Sequence, residues 1–269
     1  IRDSFRSAAT CPPYHTSNAA RPVHGGETRP AAGADRCYPG SKDELWPLID
    51  TLIVDLPALK QSCPAVMVPH AGLVYSGQLA ADVLKKIQIP ATVIILSPKH
   101  TRLGVPWAVA PCQAWALPGV TIESNMELAE QLAGQVDGLQ LDAAAHQQEH
   151  GIEVELPLLV RLAPESKVVG ITIGEASLAE CKQLGSQLAG VLRGLKTAPL
   201  LVISSDMNHF ASDAENRRLD ELALSAMETL EPGTLLGTVR DGNISMCGVL
   251  PAVIVMETLR QLGLSLIHI

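Results

Sequence analysis

The chain has 269 residues, 47% of them hydrophobic, enough to bury one large core or two small ones; a single core is the simpler arrangement. Aromatic residues make up only 3% and the formal net charge is −8, a composition without base-stacking platforms or a basic face, so nucleic acid is not an expected partner. No apolar run approaches the roughly 18 to 20 residues of a membrane span, and the six cysteines (Cys11, Cys37, Cys63, Cys112, Cys181, Cys247) lack paired spacing, which points to reduced thiols in the cytoplasm.

Residues 1 to about 28 are rich in Arg, Ser, Ala, Pro and Gly without periodicity or an apolar h-region, and read as a disordered or non-native leader. An amphipathic helix is expected over Ser41–Leu59, with Ser41 as N-cap and Glu44 placed for a capping box. A strand at 65–68 leads through His70-Ala71-Gly72 to a helix from about Gly77 to Ile87. The next strand, Thr92–Leu96, meets Pro98, which should forbid a simple ladder continuation. Short β segments follow at Trp107–Ala110 and Gly119–Ile122. Helices are expected at 125–135, 152–163, 176–194, 213–230 and 249–262, and strands at 167–173 and 199–204. Pro157 must lie in the first turn of its helix or kink it. The closing Ser265-Leu266-Ile267-His268-Ile269 departs from the helical pattern and falls in a tail, 264–269.

Continuously apolar strands alternating with helices predict an α/β fold over 29–263: one domain, a central mostly parallel or mixed sheet, and helices on both faces. In such sheets ligands collect beyond the carboxyl ends of the strands. His70, His100 and His209 each sit just past an apolar run, in the contexts VPHAG, SPKH and SSDMNH, and so are expected to share one rim. Taken singly, His70 and His100 would each more often be a turn histidine capping a neighbour.

Three further groups carry chemistry. His150 lies among Glu149, Glu153 and Glu155; carboxylates there would raise its pKa and suit it to proton transfer, although glutamates in a first helical turn are equally ordinary dipole partners. Asp206 and His209 are spaced to share a hydrogen bond that fixes the imidazole tautomer. Cys247 precedes the last helix, whose N-terminus should lower its thiol pKa, whereas the other cysteines read as inert. Two histidines with one soft or anionic ligand leave open coordination positions, as in non-haem iron and catalytic zinc sites.

The segments PHAGLVYSG, EHGIEVELPLL, SSDMNHF and MCGVLP, with Arg29-Pro30-Ala31-Ala32 and Tyr38-Pro39-Gly40 before them, occur in the order of the Memo family, also called the AmmeMemoRadiSam system protein B family. The chain resembles that family from Arg29 to about Gly263, and the family resembles the class III extradiol dioxygenases of the LigB type. The resemblance implies His70, His100 and Cys247 as metal ligands, with His150, His209 and Asp206 as acid/base or supporting groups. It implies a divalent or redox metal ion, Fe(II) first, with Cu or Zn as other choices. Where the dioxygenases carry a carboxylate ligand this chain has Cys247, which argues against ring cleavage, and Lys99 stands where much of the family has Asn. A metal-dependent redox enzyme of unknown substrate is therefore the expected function. A non-catalytic module binding a phosphopeptide or other anion, and a metal-handling protein, are the alternatives. The resemblance also implies a functional association with a radical SAM protein.

Overall fold

A computed structural model describes residues 27–264. The leader up to residue 26 and the five closing residues lie outside the described residues; Thr28–Arg29 form the first strand, β1.

The elements then run in order. Helix α1 spans Lys42–Leu52, capped by Ser41, whose side chain accepts from the Glu44 amide. It ends seven residues before the expected Leu59, because Asp55 takes a left-handed backbone (φ 57°) and Pro57 follows. Strand β2 is Ala65–Val68 and helix α2 is Leu73–Leu84. The helix starts at Leu73, just after Gly72, and not near Gly77; Gly77 is interior, where a Cβ would come within 2.9 Å of the Leu52 side chain. Strand β3, Thr92–Pro98, runs through the proline expected to stop it, since the Lys99 amide takes over the ladder by bonding Ile173 O at 2.9 Å.

Strands β4 (Trp107–Val109), β5 (Ala114–Leu117) and β6 (Val120–Glu123) follow. The sequence reading missed β5, which pairs with β6 through Pro118-Gly119, where Gly119 supplies a positive φ of 79°. Helix α3 is Met126–Gln135, β7 is Gln140–Leu141, and α4 is Ala143–His146. A 3-10 turn at Glu153–Glu155 passes into α5, Leu156–Leu162, with Pro157 in its first turn as required. Then come β8 (Lys167–Ile173), α6 (Leu178–Arg193), β9 (Leu200–Ser204) and α7 (Asp213–Glu228). Helix α8 (Pro232–Asp241), also missed, opens on a proline in its first turn, and α9 is Val249–Gln261.

Six strands form the central sheet in the order β2-β9-β3-β8-β4-β7. Neighbours from β2 to β8 are parallel, whereas β4 runs antiparallel to β8. Side-chain alternation divides the interior: Ile94 and Leu96 face a core closed by α3 and α6 to α9, and Val93 and Ile95 face one closed by α1, α2, α5 and the small β1-β5-β6 sheet. This is the expected single α/β domain with a mixed sheet covered on both faces. Among the described residues no helix is long and apolar enough to cross a membrane. Cys63, Cys112, Cys181 and Cys247 are free thiols, whereas Cys37 is disulfide-bonded, against the expectation of reduced cysteines throughout.

One buried ion pair ties the first strand to the domain. Arg29, packed over the Trp115 ring at 4.6 Å, pairs with Glu153 and donates to the carbonyls of His146 (2.8 Å) and Glu149 (2.6 Å). Glu153 in turn accepts from Ala32 N (2.9 Å), Gly33 N (2.7 Å) and the Tyr38 hydroxyl, so its charge is fully compensated although the residue is buried. Removing one partner of such a pair strands the other charge in the interior. We expect Arg29→Met to cost about 3–5 kcal/mol in urea unfolding, at unchanged denaturant slope; a loss under about 1 kcal/mol would show the pair behaving like an exposed one.

Candidate metal centre

Strands β2, β9 and β3 are adjacent and parallel, so their carboxyl ends open on the same edge. His70 follows β2 by two residues, His100 follows β3 by two, and Asp206 and His209 follow β9. Cys247 arrives from the other direction, just before α9. Its loop lies against the end of β9 because Gly248 has no side chain: a Cβ there would meet Ser204 O at 2.7 Å, and the Gly248 amide instead bonds Ser205 Oγ at 3.0 Å. This brings Cys247 Sγ to 3.4 Å from His70 Nε2. One donor atom from each of His70, His100 and Cys247 lies within 4.8 Å of the others, as do those of His100, Glu149 and His150 and those of Asp206, His209 and Cys247.

Each rim imidazole has its Nδ1 engaged by a neighbour. His70 Nδ1 is 2.7 Å from Ser204 Oγ, His100 Nδ1 is 2.7 Å from Glu149 Oε1, and His209 Nδ1 is 2.7 Å from Ser245 O. The tautomers follow from proton counting. A carbonyl only accepts, so His209 carries its proton on Nδ1. Ser204 has a single hydroxyl proton, given to Gly151 O at 2.5 Å, so Ser204 Oγ must accept from His70 Nδ1–H. His70 Nε2 therefore presents a lone pair towards Cys247. Partners that fix the far nitrogen are the usual support of metal-ligating histidines.

Glu149 is the hub of the second strand end. Its Oε2 accepts from His100 N at 2.6 Å, and its Oε1 takes His100 Nδ1 together with His150 N (2.9 Å) and Gly151 N (3.1 Å). Burial alone would raise its pKa, but the His100 hydrogen bond and the neighbouring imidazoles outweigh that and hold it at about 2. Asp206 is held low likewise: burial opposes ionisation, but His70, His209 and the Ala71 amide prevail. Its Oδ1 accepts from the amides of His70 (2.9 Å) and Ala71 (3.0 Å).

Four expectations about charge and hydrogen bonding are corrected. His150 was expected to have a raised pKa; burial, with the charges of His70 and His100, instead depresses it to about 3, and Glu149 only partly offsets this. Nor are the three glutamates a solvated helix start, since Glu149, Glu153 and Glu155 are all buried. The Cys247 thiol is not activated by its helix: burial and the Asp206 charge push it up to about 12. The expected Asp206–His209 hydrogen bond is an ion pair at 3.9 Å, and Ser245 O fixes the tautomer instead. Asp206 still raises the pKa of His209, against the opposing effect of burial.

The family is now decided by comparison. Residues 29–268 match the family model described as Memo-like protein. The chain belongs to the Memo family. A MEMO1 family protein of Aquifex aeolicus is 40% identical over 236 residues, covering 87% of each chain. Similar proteins of Methanopyrus kandleri (30% identical, 88% of each chain) and Methanobrevibacter smithii (32% identical, 74% of this chain and 71% of the relative) carry the same family name. Within the Memo chain, Ser245 and Trp115 lie outside the motifs quoted above, whereas Ser204 and Tyr38 lie inside SSDMNHF and Tyr38-Pro39-Gly40, where the sequence gives no sign of which group each supports.

In the metal-free protein, a histidine NMR titration should find His209 taking up its proton above the ordinary value of 6.5, while His146 (about 4) and His150 (about 3), both depressed chiefly by burial, remain neutral at about pH 5. Protonation of His150 near pH 6.5 would contradict the buried arrangement.

Proposed function

We propose that the protein is a metal-dependent redox enzyme built around a single ion held by His70, His100 and Cys247. The observation that carries this is the convergence of two imidazoles and a sulfur within 4.8 Å, with the Nδ1 of each imidazole already committed to another group. The donor set fits an ion: nitrogen and sulfur ligands from three separate loops, with no carboxylate cage of the kind that Mg(II) or Ca(II) requires. Bound Fe(II), or Cu or Zn in its place, would supply Lewis acidity and, for Fe or Cu, electron transfer with coordination positions left for substrate or O₂.

The chain's own residues divide the remaining work. Glu149 and Ser204 hold the rings of His100 and His70 in place. His209, with its pKa raised and its Nε2 turned to Asp206, is the group suited to hold and pass a proton near neutral pH. His150 is neutral and half-buried beside His100, their ring centroids 4.6 Å apart, and is suited to accept a proton only when the charge around it changes. Asp206 orients the turn that carries His70 through two amides.

Anaerobic loading with Fe(II) tests the reading. We expect about one ion per chain in the wild type and affinity weakened about tenfold or more in His70→Ala, His100→Ala and Cys247→Ser. His209→Ala should keep the ion and slow any O₂ consumption. Equal loading of His70→Ala, Cys247→Ser and wild type would overturn the proposal, and stoichiometric but rapidly exchanging metal without O₂ consumption would favour a metal-handling role.

A further inference from the structure

Cys247 reaches the site on a segment that runs alongside the loop after β9, and a ladder of hydrogen bonds joins the two. The Gly248 amide donates to Ser205 Oγ (3.0 Å), the Asp206 amide to Cys247 Sγ (3.2 Å), the His209 amide to Ser245 Oγ (2.7 Å) and the Ser245 amide to Asn208 Oδ1 (2.8 Å). His209 Nδ1 then donates to Ser245 O, which sets the tautomer of that ring. Asn208 ties this ladder to helix α7. Its backbone amide donates to Asp220 Oδ1 at 2.9 Å and its side-chain Nδ2 to Asn216 Oδ1 at 2.7 Å, two buried residues of that helix.

Proton counting fixes which way the Asn208 amide faces. The Ser245 amide nitrogen can only donate, so the atom opposite it must be Oδ1. The Ser245 hydroxyl, 3.1 Å away, donates to the same oxygen, with His209 O the more distant choice at 3.3 Å. That leaves Ser245 Oγ a lone pair for the His209 amide. Asn208 Nδ2 is then turned to Asn216 Oδ1, and Asn216 passes its own Nδ2–H to Ala211 O at 3.3 Å. Both ends of the Asn208 amide are used, in the one orientation that satisfies every partner. Losing the side chain would leave Ser245 and the buried Asn216 short of a partner each.

We propose that Asn208 is the positioning residue that places Cys247 and His209 together. By holding Ser245 against α7, it keeps Ser245 O on His209 Nδ1 and keeps the sulfur, two residues further on, within reach of His70. Asn208 acts through Ser245, not on the ion or the substrate. One amide thus serves both the group that binds the ion and the group that passes the proton. The consequence for metal affinity rests on the reading of Cys247 as a ligand; the consequence for the His209 tautomer does not.

Two measurements on the full chain test this, with Asn208→Leu, which keeps the shape of the side chain without its hydrogen bonds. Nitrogen NMR of the metal-free protein, at alkaline pH where His209 is neutral, should show Nδ1–H in the wild type and a mixture of tautomers in the variant, with His70 unchanged. With Co(II) as probe, the variant should bind about tenfold more weakly and show a weaker sulfur-to-cobalt charge-transfer band at saturation. Asn208→Ala, small enough to admit water, should behave in the same way and takes over both tests if the leucine variant does not fold. The proposal is overturned if the folded variant keeps the His209 tautomer, or if the tautomer changes while Co(II) affinity and the sulfur band stay those of the wild type. A lowered melting temperature with both readouts unmoved would mark a purely structural role and also overturn it. Should the wild type bind no Co(II), the metal reading fails, and the nitrogen spectra still decide the role of Asn208.

Discussion

Two carboxylates four residues apart, on Glu149 and Glu153, are buried, and the site depends on how their charges are satisfied. A buried carboxylate must collect donors or lose its charge. Glu149 collects them from His100 and from the backbone of His150 and Gly151; Glu153 collects them from Arg29, Tyr38 and the backbone of Ala32 and Gly33. The first set fixes a candidate ligand, and the second fixes the start of the domain. Arg29 joins the two, since the guanidinium that pairs with Glu153 also donates to Glu149 O. The N-terminal strand is therefore coupled to the candidate metal centre through one segment, Glu149 to Glu153.

The rest of the site comes from sheet topology. With β9 lying between β2 and β3, and all three parallel, the loops carrying His70, Asp206 and His100 open side by side. Cys247 does not come from a strand end; it is brought in by α9, which packs against the sheet beside β3 and β9 and whose Gly248 lies on Ser205. The candidate ligand set thus runs from residue 70 to residue 247 of the 269. A change that moved α9 away from β9 would separate the sulfur from the imidazoles without touching either.

Much of this was legible in the residues. Long apolar strands such as Lys167–Ile173 and Leu200–Ser204 were read nearly to the residue, because a strand buried on both faces has no polar interruption. The convergence of His70, His100 and His209 could be inferred from their places after strands, and the motif resemblance named Cys247. What escaped was set by long-range contact. The β5 strand is held by β1 and β6, not by its own propensity, and α8 is short and built around Pro232 and glycines. Charge was the hardest to read. The same glutamates that suggest a basic histidine at 150 in sequence are buried with it, and the desolvation that accompanies burial outweighs their attraction. Cys247 follows the same physics, with burial and Asp206 overriding its position before a helix.

The central claim is that sulfur from Cys247 and nitrogen from His70 and His100 bind one ion. X-ray absorption at the metal edge of the Zn(II)-loaded protein tests it most directly. The account predicts one sulfur neighbour at about 2.3 Å with nitrogen neighbours at about 2.0–2.1 Å, and loss of the sulfur shell in Cys247→Ser. A shell of oxygen and nitrogen alone in the wild type, or a sulfur shell that survives the substitution, would contradict it.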